Sequence, residues 1–259
     1  MTERLIFDAH CHYDDEKFDE DRDELLSSLP EKGVFAVVTN GTDIETSERA
    51  LALAEKYDFV YAAVGIHPES APDTDVSRIG EYIDKVAKLL THKKAVALGE
   101  TGLDYYWDIP KAEQHIIFEK QLRLAADVKK PIIIHDREAH GDTMDYLRRY
   151  SPFGLLHCYS GSPEMLREVL RCGDMYISLG GTVTFKNARV PVEVAKEVPI
   201  DRLLLETDAP YLAPVPFRGK RCDSSLIACT AERIAGIRSM TTEDVLKYTK
   251  ENAMRMYAI

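Results

Sequence analysis

The sequence is poor in cysteine and has no long apolar run, and each shortage excludes a class of protein. Five cysteines occur among 259 residues, an odd number, and no two form a Cys-x-x-Cys pair. A disulfide framework is therefore not expected, and a reducing compartment fits the chain best. No apolar run approaches the about 18 residues of a membrane span, and the first residues lack the apolar stretch and cleavage site of a signal peptide. We expect a cytoplasmic protein with no membrane partner.

The sequence also has fewer basic than acidic residues. Lys and Arg number 33 against 44 Asp and Glu, which gives a formal net charge of −11. An acidic chain has no general attraction to nucleic acid or to an anionic membrane, and this argues against tight non-specific DNA binding. A nucleic-acid substrate stays compatible with the charge, because bound divalent cations reverse the sign of the local field.

What the sequence does have is eight short apolar runs with polar endings. They are continuous rather than alternating, as in strands buried on both faces of a parallel sheet. Their starts are roughly 20–40 residues apart, which leaves room for a crossover helix between them. The runs are residues 5–7, 34–38, 59–64, 95–98, 132–134, 153–156, 175–179 and 203–205.

Eight strand–helix units in a chain of this length predict an α/β protein, a (β/α)8 TIM barrel with a single domain over residues 1–259. Helical patterns at 43–57, with Asp43 as the N-cap, and at 113–128 fill two of the gaps, and Thr241 or Thr242 caps a last helix. A doubly wound open sheet is the rival fold. It would place the polar endings far apart, whereas a closed barrel gathers them around one mouth.

Three residues at two of these polar endings predict one cation site. His10 and His12 are two residues apart on the first strand, so they share a face and both imidazoles can bind one cation. Asp208 follows the eighth run, which neighbours the first strand in a closed barrel. We expect Asp208 to bind the same cation and to accept a proton from an attacking water.

Three further endings predict a second cation site. Glu100 follows the fourth run, and its two carboxylate oxygens can bridge two cations. His135 and His157 follow the fifth and sixth runs. A single histidine in such a place more often caps or packs, but two successive strands that end in histidine at one level favour a second cation.

Several neighbours are assigned supporting roles. Asp8, two residues before His10, is expected to share the inward face of His10 or instead to orient a ligand histidine. Asp104 is expected to be structural or to orient a ligand histidine, and Glu206 ranks second to Asp208 on the eighth strand. Cys11 and Cys158 adjoin ligand histidines. Because neighbouring side chains of a strand point to opposite faces, both thiols are expected to face away from the site.

Basic and polar residues near the mouth predict substrate contacts. His67 follows the third run, and Arg218, Lys220 and Arg221 lie in the loop after the eighth. A basic cluster at the mouth of an acidic protein favours an anionic substrate such as a phosphodiester. Each of these charges taken alone is equally well read as a solvated side chain.

Eight segments in chain order match the motifs of one family. They are 8–12 (DAHCH), 65–68 (GIHP), 99–105 (GETGLDY), 134–137 (IHDR), 157–162 (HCYSGS), 184–187 (TFKN), 205–212 (LETDAPYL) and 217–221 (FRGKR). The sequence thereby resembles the TatD family of metal-dependent deoxyribonucleases, within the amidohydrolase-like barrels. One stretch departs from the family pattern: Asn-Glu-Pro usually follows 217–221, and here the chain reads Cys222-Asp223-Ser224. The departure leaves the support of that loop, or the orientation of the substrate beside it, open.

The resemblance implies a role for each matching ligand residue. His10 and His12 would bind one metal ion with Asp208, His135 and His157 would bind the other, and Glu100 would bridge the pair. The implied reaction is phosphodiester cleavage in DNA, often by a 3′-to-5′ exonuclease or at damaged sites, with single-stranded DNA or 3′ ends as the substrate. No obligate protein partner is expected.

The residues leave alternatives open for the identity of the metal ion and for the substrate. Four imidazoles suit Zn, Mn, Co or Ni, whereas the bridging carboxylate and phosphate oxygens make Mg or Mn suitable in turnover. A metal-dependent amidohydrolase or lactonase that acts on a small molecule is the alternative enzyme. A non-catalytic barrel is the third hypothesis, and the complete ligand set argues against it.

Overall fold

The computed structural model describes residues 4–259. Eight parallel strands form one sheet, in which neighbouring strands follow the order of the sequence. The last strand meets the first through backbone hydrogen bonds just beyond its end. The His12 N–H donates to the Ala209 carbonyl at 2.7 Å, and the Asp208 N–H donates to the His10 carbonyl at 3.0 Å. The strands are β1 Ile6–Cys11, β2 Val34–Asn40, β3 Val60–Val64, β4 Ala95–Asp104, β5 Ile132–Arg137, β6 Phe153–Leu156, β7 Asp174–Leu179 and β8 Leu203–Leu205.

Helices connect the strands and complete the predicted (β/α)8 TIM barrel in a single domain. They are α1 Arg22–Ser28, α2 Ile44–Lys56, α3 Ile79–Leu89, α4 Lys111–Val128, α5 His140–Tyr150, α6 Pro163–Cys172, α7 Arg189–Glu197, α8 Ile227–Arg238 and α9 Thr242–Tyr257. The helices predicted at 43–57 and 113–128 are α2 and α4, and Thr241 caps α9 by accepting from the Asp244 N–H. Within residues 4–259, no helix has the length and apolarity that crossing a bilayer requires.

Two strands run further than their apolar runs indicate. β4 and β5 stay paired through polar residues, with Gly102 opposite His135 and Asp104 opposite Arg137. Gly102 has φ +148°, and a Cβ there would collide with the His135 carbonyl oxygen. Glycine therefore lets the two backbones approach at the level of the mouth, and this brings the side chains of Glu100 and His135 together.

The barrel interior is filled and its amino-terminal end is covered. Side chains such as Phe7, Ile133 and Leu155 pack inside the sheet. Helix α9 lies across the starts of β1 and β8, where the Tyr257 ring stacks on Phe7 with centroids 5.9 Å apart and its hydroxyl donates to the Ala9 carbonyl at 2.7 Å. The polar residues that follow the strands therefore collect at the opposite, carboxyl end.

The capping box of α2 gives a stability prediction. The Asp43 carboxylate accepts from the Thr46 N–H at 2.7 Å, and the Thr46 hydroxyl accepts from the Asp43 N–H at 2.8 Å. Asp43→Ala should lower the free energy of unfolding by about 1 kcal/mol, and hence Tm by about 2–4 °C. Asp43→Asn keeps an acceptor and should melt near the wild type. Thermal unfolding followed by circular dichroism measures both, and identical Tm values for the wild type and Asp43→Ala would contradict the cap.

Candidate metal centre

Two ring nitrogens and two carboxylate oxygens converge in the barrel mouth, beside the end of β1. His10 Nε2 lies 3.1 Å from His12 Nε2, 3.2 Å from Glu100 Oε2 and 3.7 Å from Asp208 Oδ1. His12 Nε2 lies 3.4 Å from each of the two carboxylate oxygens. Ligand bonds of about 2.0–2.1 Å around a tetrahedral cation place neighbouring donor atoms roughly 3.3 Å apart. These four atoms therefore fit around one cation, and we call them the first cluster.

The other oxygen of Glu100 belongs to a second cluster. Glu100 Oε1 lies 2.8 Å from both His135 Nδ1 and His157 Nε2, and those two nitrogens are 3.1 Å apart. One carboxylate thus divides its two oxygens between two groups of imidazoles. This is the arrangement that bridging by Glu100 requires.

The outer nitrogens of two ligand histidines are held by hydrogen-bond acceptors. His12 Nδ1 lies 2.9 Å from the Asn40 carbonyl oxygen, and His135 Nε2 lies 3.1 Å from Asp104 Oδ2. An acceptor there places the proton of the neutral ring on the outer nitrogen, so the inner nitrogen turns a lone pair toward the cluster. The donor chemistry therefore fits divalent cations. The role of the Asn40 carbonyl was not predicted, although the polar end of the second strand was a signal for it.

Buried Glu206 lies behind the imidazole of His157. Its Oε1 lies 3.6 Å from His157 Nδ1, and its Oε2 accepts a hydrogen bond from the Ser178 hydroxyl. Glu206 thus stands behind His157 rather than among the atoms of the two clusters. At 3.6 Å this contact is longer than a hydrogen bond, so the carboxylate lies behind the imidazole without fixing its orientation.

His67 lies closer to the clusters than the sequence indicated. Its ring proton, however, is on the nitrogen that faces the clusters and not on the outer nitrogen. Its Nε2 is 3.3 Å from Glu100 Oε1, while its Nδ1 accepts from the Glu69 N–H at 3.1 Å. Burial lowers the pKa of His67, which keeps the ring neutral. With Nδ1 as acceptor, the single ring proton sits on Nε2, so His67 presents a hydrogen-bond donor instead of a lone pair. The contact between His67 and the substrate remains a prediction. An Nε2–H donor is suited to such a contact.

The carboxylates of the centre stay ionised although they are buried. Burial alone would raise the pKa of Glu100, but His157, His67 and His10 outweigh it and hold that pKa well below its ordinary value. Burial alone would lower the pKa of His12, but the hydrogen bond to Asp208 and the charge of Glu100 raise it to about 10. Two buried negative charges therefore demand positive charge between the rings, which protons or divalent cations can supply.

The expectation that Asp8 shares the inward face of His10 is wrong. Its Oδ1 accepts from the Thr207 N–H at 3.0 Å and from the His10 N–H at 3.3 Å, and its Oδ2 accepts from the Ser224 hydroxyl at 2.7 Å. The register of β1 against β2 shifts between Asp8 and Cys11, and this breaks the simple alternation of faces. Asp8 instead ties the backbone of the first strand to the segment after the eighth.

The stretch that departs from the family pattern supports this tie. Ser224 is buried, and its N–H donates to the Tyr13 hydroxyl at 2.9 Å while its own hydroxyl reaches Asp8. The Cys222 N–H donates to the Pro210 carbonyl at 3.0 Å. The segment is therefore anchored beneath the first cluster, and its serine contributes to the support of the loop.

The two cysteines next to ligand histidines differ. The Cys11 thiol donates to the Val38 carbonyl at 3.2 Å, away from the clusters, which confirms the expectation. For Cys158 the argument from strand alternation fails, because β6 ends at Leu156 and Cys158 adopts φ 41°. Burial raises the pKa of Cys158 well above its ordinary value, so it is held as a thiol and makes a poor metal ligand.

The basic loop after β8 divides into two parts. Arg221 pairs with Asp21 at 2.5 Å and donates to the Lys17 carbonyl, so its inclusion among the substrate contacts is corrected to a structural role. Arg218 and Lys220 are exposed, and the Arg218 guanidinium lies 4.4 Å from the Phe185 ring centroid. The structure therefore leaves these two cations accessible to a substrate at the mouth.

The acceptor behind His135 gives a prediction about metal affinity. Asp104→Ala removes the acceptor of the His135 Nε2 proton while every predicted ligand stays in place. We expect the affinity for divalent cations to fall by about 10–100-fold, as losses behind metal-bound histidines do. Asp104→Asn keeps an acceptor oxygen and should recover part of the loss. Calorimetric metal titration compares the three proteins, and equal affinities would show that Asp104 does not orient the ring.

The fold and the two clusters together define a class, the metal-dependent hydrolases built on a (β/α)8 barrel. A family model described as TatD related DNase matches residues 7–258, and the chain belongs to that family. The resemblance seen in the sequence motifs is thereby confirmed.

Relatives and a solved structure agree with this assignment. The chain is 43% identical to YabD of Bacillus subtilis and 33% identical to YcfH of Escherichia coli, both named metal-dependent hydrolases. These alignments cover 98% of this chain and 100% and 96% of the respective relatives. The crystal structure of YjjV, a TatD homolog from Escherichia coli, superimposes with a TM-score of 0.91 at 28% identity and covers 99% of each chain. Metal-dependent hydrolysis is therefore the activity class of this protein.

Proposed function

We propose that this hydrolase cleaves phosphodiester bonds in DNA with two divalent cations in its barrel mouth. The observation that carries the proposal is the division of the Glu100 carboxylate between two imidazole clusters, with Oε2 at the first and Oε1 at the second. His10, His12 and Asp208 would hold one cation and His135 and His157 the other. The family description and the accessible cations of Arg218 and Lys220 support DNA as the substrate.

Different residues of the site have different roles in the proposed hydrolysis. Divalent cations bound here would lower the pKa of a coordinated water toward about 7 and would offset negative charge on phosphoryl oxygens. Asp208, at the edge of the first cluster, accepts the proton of the attacking water. His67 donates a hydrogen bond from its Nε2–H to a phosphoryl oxygen and keeps the proton, while Arg218 and Lys220 bind backbone phosphates further along the strand.

Depth favours a single strand over a duplex as the substrate. His10 and Glu100 are 0% and 3% exposed, so a scissile phosphate must descend past the rim to reach them. The rigid backbone of a duplex cannot bring an internal phosphate to the floor of a barrel mouth without fraying. We therefore propose single-stranded DNA, with 3′ ends included, as the preferred form.

A substrate panel tests this function. Metal-free protein is assayed with Mg, Mn and Zn in turn against end-labelled single-stranded and duplex oligonucleotides, a lactone and a cyclic amide. We expect metal-dependent hydrolysis of DNA, fastest on the single strand, and label position reads the polarity. The net charge of −11 suits a neutral small substrate equally well. Turnover of the lactone or amide without turnover of DNA would assign the protein to the amidohydrolase alternative, and metal binding without any turnover would assign it to the non-catalytic one.

A further inference from the structure

Two large aromatic side chains lie exposed just beyond the end of the strand that carries Glu100. Tyr106 and Trp107 come two and three residues after the end of β4, and 50% and 49% of their surfaces are exposed. Their ring centroids are 4.8 Å apart with the planes at 84°. Adjacent aromatic rings left this open at the rim of a site are available to a ligand with a flat apolar face.

The pair is joined to the second cluster through one residue. The Tyr106 N–H donates to Asp104 Oδ1 at 2.9 Å, and Asp104 Oδ2 lies 3.1 Å from His135 Nε2. The Tyr105 N–H also donates to the Arg137 carbonyl at 2.8 Å, and this fixes the loop to the end of β5. The loop that carries the rings is therefore linked to the second cluster through Asp104, and a ligand on the rings lies at the same end of the barrel as the metal centre.

A cation accompanies the rings. Exposed Arg137 ends β5, and its guanidinium carbon lies 3.7 Å from the Tyr106 ring centroid and 5.7 Å from that of Trp107. Arginine stacked against aromatic rings combines a flat surface with a positive charge, which matches the flat bases and charged phosphates of a nucleic-acid strand.

The loop that carries the rings is held in place before any ligand binds. The Tyr105 hydroxyl donates to Asp142 and lies 2.9 Å from His115 Nε2, and the Lys111 ammonium lies 3.7 Å from the Tyr105 ring centroid. The Ile109 N–H donates to the Trp107 carbonyl at 2.9 Å. Preorganisation of this kind reduces the conformational entropy that binding would otherwise lose.

We propose that Tyr106, Trp107 and Arg137 form a stacking platform for a nucleobase of the strand whose phosphate lies in the metal centre. The inference rests on the DNA hydrolase function proposed above and extends it to base recognition. A base can stack on the platform only when its face is uncovered, so the platform selects unpaired nucleotides. Stacking uses the π-face that every base has, and the platform therefore accepts all four bases.

Kinetics on two matched oligomers test the platform. One is a single-stranded oligodeoxynucleotide, and the other has the same length and phosphates but abasic sugars. Trp107→Ala should raise KM for the DNA oligomer by about 5- to 160-fold, the range that stacking of one base supports, and should leave KM for the abasic oligomer unchanged. Trp107→Phe keeps a flat ring and should retain a KM within about twofold of the wild type, as its smaller loss of stacking area implies.

The matched control is Tyr248→Ala. Tyr248 is 44% exposed on α9, the helix that covers the other end of the barrel, so its removal should change neither KM. Trp107 is the one tryptophan of the sequence, so its fluorescence gives a second readout. Quenching is expected on mixing the wild type with the DNA oligomer and not with the abasic oligomer.

The outcomes separate the two proposals. Wild-type hydrolysis of DNA with the same KM for both oligomers and for Trp107→Ala would overturn the platform and leave the DNA hydrolase standing. Wild-type protein that hydrolyses neither oligomer in any metal would overturn the proposed DNA hydrolase function itself. A KM effect of Trp107→Ala that is equal on DNA and abasic oligomers would also overturn base stacking, because it would show a general disturbance of the rim.

Discussion

Replacing Glu100 with glutamine is expected to lower kcat by at least about 10³-fold. Loss of a single preorganised electrostatic group in an active site already costs about 10²–10³-fold, and Glu100 serves two clusters. Glutamine keeps one oxygen but substitutes an N–H donor for the other, and it removes the negative charge that lies 2.8–3.2 Å from three ring nitrogens. Cation content should fall with kcat, because one carboxylate oxygen is lost from a cluster.

A matched glutamate provides the control for this variant. Glu69 is exposed, and it contacts His67 through its backbone N–H rather than its carboxylate. Glu69→Gln should therefore keep both wild-type kcat and wild-type metal content. Steady-state kinetics with elemental analysis of the purified proteins measures both quantities. Full turnover by Glu100→Gln at wild-type metal content would remove Glu100 from the centre.

Metal removal should have the second large effect, because it acts on activity and on stability together. A ligand present at about 100 times its Kd stabilises the native state by about 2.7 kcal/mol. In a domain of this size that corresponds to a fall in Tm of roughly 5–10 °C on chelation. Activity should disappear in chelator and return with added divalent cation, and the cation that restores both activity and Tm at the lowest concentration identifies the preferred metal.

The Glu100→Gln variant also controls the melting experiment. With one bridging ligand gone, its Tm should respond much less to chelator than the wild-type Tm does. Differential scanning calorimetry of both proteins, with and without chelator, gives the four values. Equal Tm values for wild-type protein in both conditions would show that cation binding is not coupled to the folded barrel.

The fold could be predicted from the sequence because its strands are buried on both faces. Such strands appear as continuous apolar runs, and all eight runs became strands. The ends of β4 and β5 could not be predicted in the same way, because polar residues continue the pairing there as far as Asp104 and Arg137. Backbone hydrogen bonding does not depend on apolar side chains, so a hydropathy pattern stops where the ladder still continues.

The ligands of the candidate metal centre could be predicted from the sequence, but the roles of their neighbours could not. All six predicted ligands follow apolar runs at the carboxyl ends of strands, and closure of the barrel brings them together: His10, His12, Glu100, His135, His157 and Asp208. The roles of the residues around them depend on contacts between distant parts of the chain. The partner of Arg221 is Asp21, 200 residues away, and the donor character of His67 depends on the Glu69 N–H, a matter of loop conformation. The stacking platform was missed because two aromatics after a strand resemble ordinary loop residues until their exposure is known.

Closure of the barrel also affects when the protein can become active during synthesis. The first cluster needs His10 from the start of the chain and Asp208 from near its end, and Asp8 gains its contact with Ser224 later still. A nascent chain released before residue 208 holds the histidines of both clusters without the carboxylate that completes the first. We therefore expect translation products that end before residue 208 to lack hydrolytic activity, because the residues proposed as ligands lie far apart along the chain.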